Sequence, residues 1–301
     1  MRVNEGYSYR EIVDSRAEGE TVLDWLAARH AHSSRATWRA RIEGGEVLVD
    51  ESAAAFDHRL RRGEALVWNR PPWHEPDVPL RFDVLHADAH VLAVAKPSGL
   101  PTQPAGGFLA HTLQAIVQRQ FPGSTPLHRL GRGTSGIVLF ARTDAARRSL
   151  AAAFREGRVE KIYRTLVTGA PAWDERAIDT PIGPVVHAML GTVHAASSAG
   201  RPARSHARVV ERRDGQTLLD VSIETGRPHQ IRIHMAAVGH PLAGDPLYLP
   251  GGVPAPDALP GDEGYLLHAM RVAFEHPAGG TCRVQAPLPP PLVVAAGPGG
   301  S

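Results

Sequence analysis

The sequence predicts an α+β protein of two domains: a small N-terminal α/β unit over residues 20–70 and a larger domain with a mixed sheet over residues 80–290. Three observations carry this. Pro71, Pro72, Pro76 and Pro79 fall close together, an extended, semi-rigid stretch that reads as a linker over residues 71–79. From residue 80 onward the strand and helix patterns do not alternate strictly, which favours a mixed α+β sheet over a doubly wound one. The 301 residues, 43% of them hydrophobic, suffice for a sizeable core plus one small unit. Residues 1–19 read as an N-terminal extension, and the Pro/Gly/Ala-rich residues 291–301 as a disordered tail.

In the small unit, Thr21 with Asp24 three residues later resembles a helix capping box, and Val22, Leu23, Leu26 and Ala27 form a helical stripe. Ser33 and Ser34 can cap a second helix that carries Trp38 and Ile42 at i, i+4, and Gly44-Gly45 ends it. Val47 to Val49 and Ala65 to Trp68 have the composition of short strands. The second helix also carries Arg35 and Arg39 at i, i+4, with Arg41 nearby. A helix N-terminus beside an arginine row suits a phosphate group, and a solvated helix face has the same spacing.

In the large domain, Arg81 to Leu85 and Val91 to Ala95 read as strands, Thr112 to Phe121 as a helix, and Gly136 to Ala141 as a buried strand. Asp144 can cap a helix running to Gly157. Lys161 to Val167, Leu218 to Ile223 and His268 to Phe274 read as strands, and Pro228 sits well as a first helical residue before Ile231, Met235 and Val238.

Composition narrows the function classes. No apolar run reaches the ~18 residues a membrane span needs, and Met1 to Arg10 is polar and mixed in charge, unlike a signal peptide. One cysteine, Cys282, excludes an intrachain disulfide and points to a cytoplasmic protein. The net charge of +2 and the pI of about 8.9 lean towards an anionic partner. Lysine occurs only at Lys96 and Lys161, and every other strong base is arginine, whose planar fork suits phosphate contact. Sixteen histidines invite a metal, yet His229 and His234 lie five apart and no His-Glu-x-x-His pattern occurs, so no metal is expected. Nucleotide-binding glycine loops and a Gly-x-Ser-x-Gly frame are absent.

Four segments carry the chemistry. They are Lys96-Pro97-Ser98-Gly99, the glycine-rich and basic run His128 to Gly136 (His-Arg-Leu-Gly-Arg-Gly-Thr-Ser-Gly), Lys161-Ile162-Tyr163-Arg164, and Thr225 to His234 (Thr-Gly-Arg-Pro-His-Gln-Ile-Arg-Ile-His). The second can bring backbone close to a nucleic-acid strand. Arg227 lies just before a helix start, where an anion is favoured. Tyr163 can stack on a base or serve the core.

In this order, together with His240 to Tyr248 and Leu267-His268-Ala269, these segments resemble the RluA-type family of RNA pseudouridine synthases over nearly the whole chain. The resemblance implies a largely antiparallel sheet of the pseudouridine synthase type. Residues 20–70 resemble the S4 RNA-binding domain that often precedes it. It further implies a monomeric RNA partner protein without cofactor or metal, acting on ribosomal or transfer RNA. Uracil would be detached from its ribose, turned, and rejoined through carbon 5, on a nucleotide flipped from its stack. By motif, Tyr163 packs against the flipped base, Arg227 pairs with the family's catalytic aspartate, and Arg129 helps open the RNA. Lys96, Arg132, Ser34, Arg35 and Arg39 complete the RNA-contacting set.

The chain departs from the pattern at one position. The aspartate that follows His-Arg-Leu is here Gly131, which offers neither nucleophile nor base. Two functions stay open: an isomerase that works without that carboxylate, or a catalytically silent RNA-binding protein that kept the fold and acts in RNA folding or ribosome assembly. Glu224, Asp245 and Asp144 are the carboxylates in or beside the motifs that could compensate.

Overall fold

The computed structural model describes residues 3–30, 33–258 and 264–295. It divides into two compact units, Met1–Glu75 and Pro76–Ser301.

The first unit places helices α1 (Val22–Arg29) and α2 (Arg35–Glu43) with a four-stranded antiparallel sheet, ordered β1-β4-β2-β3. Its strands are β1 (Tyr7–Ile12), β2 (Val47–Val49), β3 (Ser52–Ala53) and β4 (Ala65–Arg70). The Thr21 hydroxyl accepts from the Asp24 amide at 3.1 Å and donates to its carboxylate at 2.5 Å, and Ser34 caps α2 through the Thr37 amide. Trp38 and Ile42 are buried among Val22, Leu23, Leu26, Leu60 and Trp68. Residues 1–19, expected as an extension, supply an edge strand: β1 pairs with β4 from Tyr7↔Arg70 to Ile12↔Ala65. Five of its six residues are exposed, so no alternating apolar face marked it in the sequence.

The second unit is built on a sheet whose main path runs β10-β13-β14-β9-β17-β8-β6-β5, with β18 on β17 and β7 on β8. Its strands are β5 (Asp83–Ala87), β6 (Val91–Lys96), β7 (Thr125–Pro126), β8 (Ser135–Ala141), β9 (Glu160–Thr168), β10 (Glu175–Ile178), β13 (Ser205–Arg213), β14 (Gln216–Ile223), β17 (Leu267–Glu275) and β18 (Thr281–Gln285). Two hairpins, β11 (Ile182–His187) with β12 (Gly191–Ala196) and β15 (Tyr248–Leu249) with β16 (Val253–Pro254), lie off it. Among the described strand pairs only β8 and β17 run parallel, so the sheet is mixed and largely antiparallel.

Both faces of this sheet are covered. Leu92, Val94, Val138 and Phe140 face a core that includes Leu113 and Val117 of α3 (Leu113–Gln120) and Ile231 and Met235 of α5 (Gln230–Ala237). Their neighbours Val91, Ala93, Ile137 and Leu139 face another, with Leu150 and Ala153 of α4 (Asp144–Arg155). Alternate residues thus serve opposite cores, which is why β6 and β8 read as unbroken apolar runs.

Three expectations need correction. Thr143 caps α4, its hydroxyl accepting from the Ala146 amide at 3.1 Å; Asp144 is the first helical residue, because the capping position needs extended backbone and Thr143 has φ −134° and ψ 155°. Pro228 precedes α5 rather than opening it: His229 at φ 55° breaks the helical path between them. The expected tail is ordered to residue 295, with Leu292 buried and its carbonyl accepting from Arg164 Nη1 at 3.3 Å. Residues 296–301 lie outside the described residues.

Candidate active site

The Lys96-Pro97-Ser98-Gly99 turn and the His128 to Gly136 run form one stitched structure. Lys96 Nζ donates to the carbonyls of Pro97 (3.0 Å), Leu100 (2.6 Å) and Arg132 (3.1 Å). Ser98 Oγ donates to Gly133 O at 2.7 Å, the Gly99 amide to Arg132 O at 2.9 Å, and Thr102 Oγ1 to Leu130 O at 2.9 Å. The motif predicts that Lys96 contacts RNA. At 1% exposure it is instead a buried clamp that satisfies the Pro97 and Leu100 carbonyls and shares that of Arg132 with the Gly99 amide. His128 is structural as well: Nε2 accepts from the Leu139 amide at 3.0 Å, and burial, helped by the Lys161 charge, pushes the ring down to about 4.

The run is then pressed against the start of β17. Gly136, at φ 107°, pairs with Ala269, and a Cβ there would run into the Ala269 backbone. This close approach sets the preceding loop beside Tyr265. A Cβ on Gly133 would stand 3.0 Å from the Tyr265 ring, and one on Gly131 would stand 3.2 Å from the Tyr265 hydroxyl and 3.5 Å from Thr134 Oγ1. Tyr265 Oη and Thr134 Oγ1 lie 3.3 Å apart. Gly131 itself is exposed and is not among the glycines at positive φ.

Tyr163 lies on β9, between Val221 of β14 and Ala269 of β17. It belongs to the same apolar cluster as Leu130, Ile231 and Tyr265, so three of the four motifs meet there. Burial pushes its phenol up to about 12 and keeps it neutral. The other face of β9 holds Arg164, buried and paired with Asp220 at 2.5 Å.

Arg227 does not take the place expected of it. Its Nε donates to Pro202 O at 3.0 Å on the exposed side of the turn, while its amide donates to Gln230 Oε1. The buried cation that reaches the Gly131 neighbourhood is Arg232, on α5. Its side chain is 6% exposed and grips Asp245, itself 0% exposed, through Nε–Oδ2 at 2.7 Å and Nη2–Oδ1 at 2.6 Å. Its guanidinium carbon lies 4.1 Å from the Tyr265 ring centre and 5.0 Å from that of Tyr248. Burial opposes the charge, but the Asp245 carboxylate and the two phenol rings outweigh it and raise the pKa further. Position explains the difference: Arg227 lies before the helix, whereas Arg232 sits in the first turn of α5, where all residues from Gln230 to Ala236 are buried.

His229 adjoins this group. Tyr248 Oη donates to His194 O at 2.7 Å, so it accepts from His229 Nδ1 at 2.8 Å, which puts the imidazole proton on Nδ1. Desolvation of the ring, then the Arg232 charge, pushes it down to about 4, with Arg129 adding to the effect. Arg129 is exposed; Arg132 Nε donates to Gly99 O at 3.3 Å. In the first unit, Ser34 is engaged in its cap, Arg35 pairs with Asp24, and Arg39 pairs with Glu43 at 3.7 Å and lies 4.2 Å from the Phe56 ring centre. Arg41 is wedged 4.6 Å from the rings of Trp38 and Trp68.

A second polar cluster, His86, Asp88 and His276, has its ligand atoms within 4.8 Å of one another. It is satisfied as hydrogen bonds: both imidazoles meet Asp88 Oδ2 through Nε2, at 2.7 and 3.0 Å, and the Ala278 amide donates to His276 Nδ1, which leaves the proton on the nitrogen a metal would need. Tyr265, Arg232 and Tyr248 escaped assignment from sequence. Arg232 and Tyr248 lie inside the family-like motifs, but nothing in the linear pattern marks Tyr265.

Residues 90–237 match the RNA pseudouridylate synthase family. The chain is 44% identical to an uncharacterized RNA pseudouridine synthase of Synechocystis, over 90% of this chain and 95% of that one. It is 36% identical to RNA pseudouridine synthase 5 of Arabidopsis thaliana, over 96% and 95%. Against ribosomal large subunit pseudouridine synthase D of Neisseria meningitidis the figures are 33%, 90% and 75%. Among solved structures it is similar to human RNA pseudouridylate synthase domain containing 1, with a TM-score of 0.56 and 26% identity over 71% of this chain and 86% of that one.

Proposed function

Because this chain belongs to the RluA-type family of RNA pseudouridine synthases, we propose that it isomerises uridine to pseudouridine in structured RNA, ribosomal or transfer, although position 131 holds no carboxylate. The observation that carries the reading is the apolar cluster joining Leu130, Tyr163 and Tyr265, flanked by the buried and fully charged Arg232. A protein that had only to bind RNA would have no need of a preorganised buried cation at this point, since affinity for RNA comes from exposed charge. The isomerisation conserves every atom of uridine, so the side chains need only hold, turn and deprotonate. Tyr163, neutral and buried, packs against the flipped base; Arg129, exposed, contacts the opened strand. The first unit, S4-like, adds RNA affinity through α2.

Gly131 is the feature that favours the second reading, a silent RNA-binding protein acting in RNA folding or ribosome assembly. Mapping pseudouridine in total RNA from strains with and without the protein separates the two. A position modified only when the protein is present, and restored in vitro by the purified chain on RNA from the deficient strain, is the expected result. Tight RNA binding with no such position supports the silent reading.

A further inference from the structure

We propose that the Tyr265 hydroxyl takes the place of the side chain that Gly131 lacks, touching the bound nucleotide and carrying one proton through the isomerisation; this rests on the synthase reading above. The hydroxyl lies 3.2 Å from where a Cβ of residue 131 would stand, nearer than any other described atom outside the adjoining residues. Gly133 leaves room for the ring, Thr134 Oγ1 lies 3.3 Å from the hydroxyl, and Arg232 sits over the ring face.

The carboxylates that could have compensated are committed elsewhere. Asp245 accepts twice from Arg232 and also from the amides of Leu247 and Tyr248, with no exposed side-chain surface. Asp144 and Glu224 lie at the surface beside Arg147 and Arg204.

The stoichiometry sets what one hydroxyl must do. Conversion breaks N1–C1′, makes C5–C1′, and moves one hydrogen from C5 to N1. As N1–C1′ breaks, its electron pair goes to N1, and Tyr265 gives N1 its proton, leaving a phenolate and a cationic C1′. The free uracil turns. Its C5=C6 pair attacks C1′, and the phenolate takes the C5 proton, which restores C5=C6 and the phenol. Both transfers occur at one place, because N1 before the turn and C5 after it are each bonded to C1′. The Arg232 guanidinium stabilises the negative charge on the ring while it lasts.

The test compares full-length wild type, Tyr265→Phe and the double variant Gly131→Asp/Tyr265→Phe on total RNA from a strain lacking the protein. Pseudouridine formation rate, RNA affinity and melting temperature are measured for each. Tyr265→Phe should slow the single-turnover rate about 100-fold or more, the scale of a lost acid–base group, with affinity within about threefold and unchanged melting. The double variant should regain at least about tenfold, since removing the hydroxyl vacates the space an aspartate at 131 needs. A Tyr265→Phe rate within about threefold of wild type overturns the inference and leaves the synthase reading standing. A rate loss matched by lost RNA affinity or lower melting temperature also overturns it, by making the hydroxyl structural. Wild type that binds the RNA and forms no pseudouridine overturns both.

Discussion

Gly131 and Gly136 belong to one short run, and they ask opposite things of a substitution. At Gly136 the backbone is left-handed, at φ 107°, and the Ala269 backbone fills the space a Cβ would take. Gly136→Ala should therefore cost at least about 2 kcal/mol, the left-handed penalty plus displacement of β17. A wild-type denaturation midpoint would show that the parallel pairing tolerates more separation. At Gly131 the backbone is not left-handed, so no conformational demand reserves the position for glycine. What meets a new Cβ is the far end of the Tyr265 side chain, which must give by a few tenths of an ångström. Gly131→Asp should fold with a midpoint close to wild type; a loss as large as that of Gly136→Ala would mean that Tyr265 cannot move. Lys96 gives a third contrast. Lys96→Met strands the Pro97 and Leu100 carbonyls in a buried turn and should cost about 3 kcal/mol in urea titrations. Unchanged stability with weaker RNA binding would return Lys96 to the surface role its motif suggested.

At the scale of elements, α2 is the one to test. Its arginines are engaged in weak, exposed pairs with Asp24 and Glu43, contacts worth too little to prevent their release to a phosphate. Arg41 is not available in the same way, because it packs against the rings of both Trp38 and Trp68. Replacing Arg35 and Arg39 together by Ala should weaken RNA binding about uniformly across sequences and flatten its salt dependence. Affinity measured across a salt series decides it: an unchanged slope makes the row a solvated helix face.

For the whole molecule, the histidines set a direction with pH. His128 and His268 are each pushed down to about 4 from the 6.5 of an unfolded chain, mainly by desolvation. Between those values the unfolded chain binds protons that the folded one refuses, so stability is present above about 6.5 and is lost as pH falls towards 4. Asp88, held low by backbone amides and His86, adds its own loss at lower pH still, in the same direction. The melting temperature should fall steadily from pH 7 to pH 5. A flat profile would mean that these rings keep enough water to protonate in place.

Local patterns of period, cap and motif made the capped helices α1 and α2, the doubly buried strands β6 and β8, the mixed sheet and the family legible in the sequence. It also isolated Gly131 as the one departure. Tertiary structure decided the rest. Edge strand β1 has no apolar face to announce it, and the tail through Leu292 is fixed by Arg164, far away in sequence. Arg227 and Arg232 look alike in the motif, and only the burial of α5 separates the half-buried Arg227 from Arg232, paired with Asp245. Tyr265 comes to residue 131 because Gly136 lets two strands distant in sequence run in parallel at close range. A side chain's chemical role follows from which charges and surfaces fold around it, and linear spacing carries that information only within a helix turn or a strand.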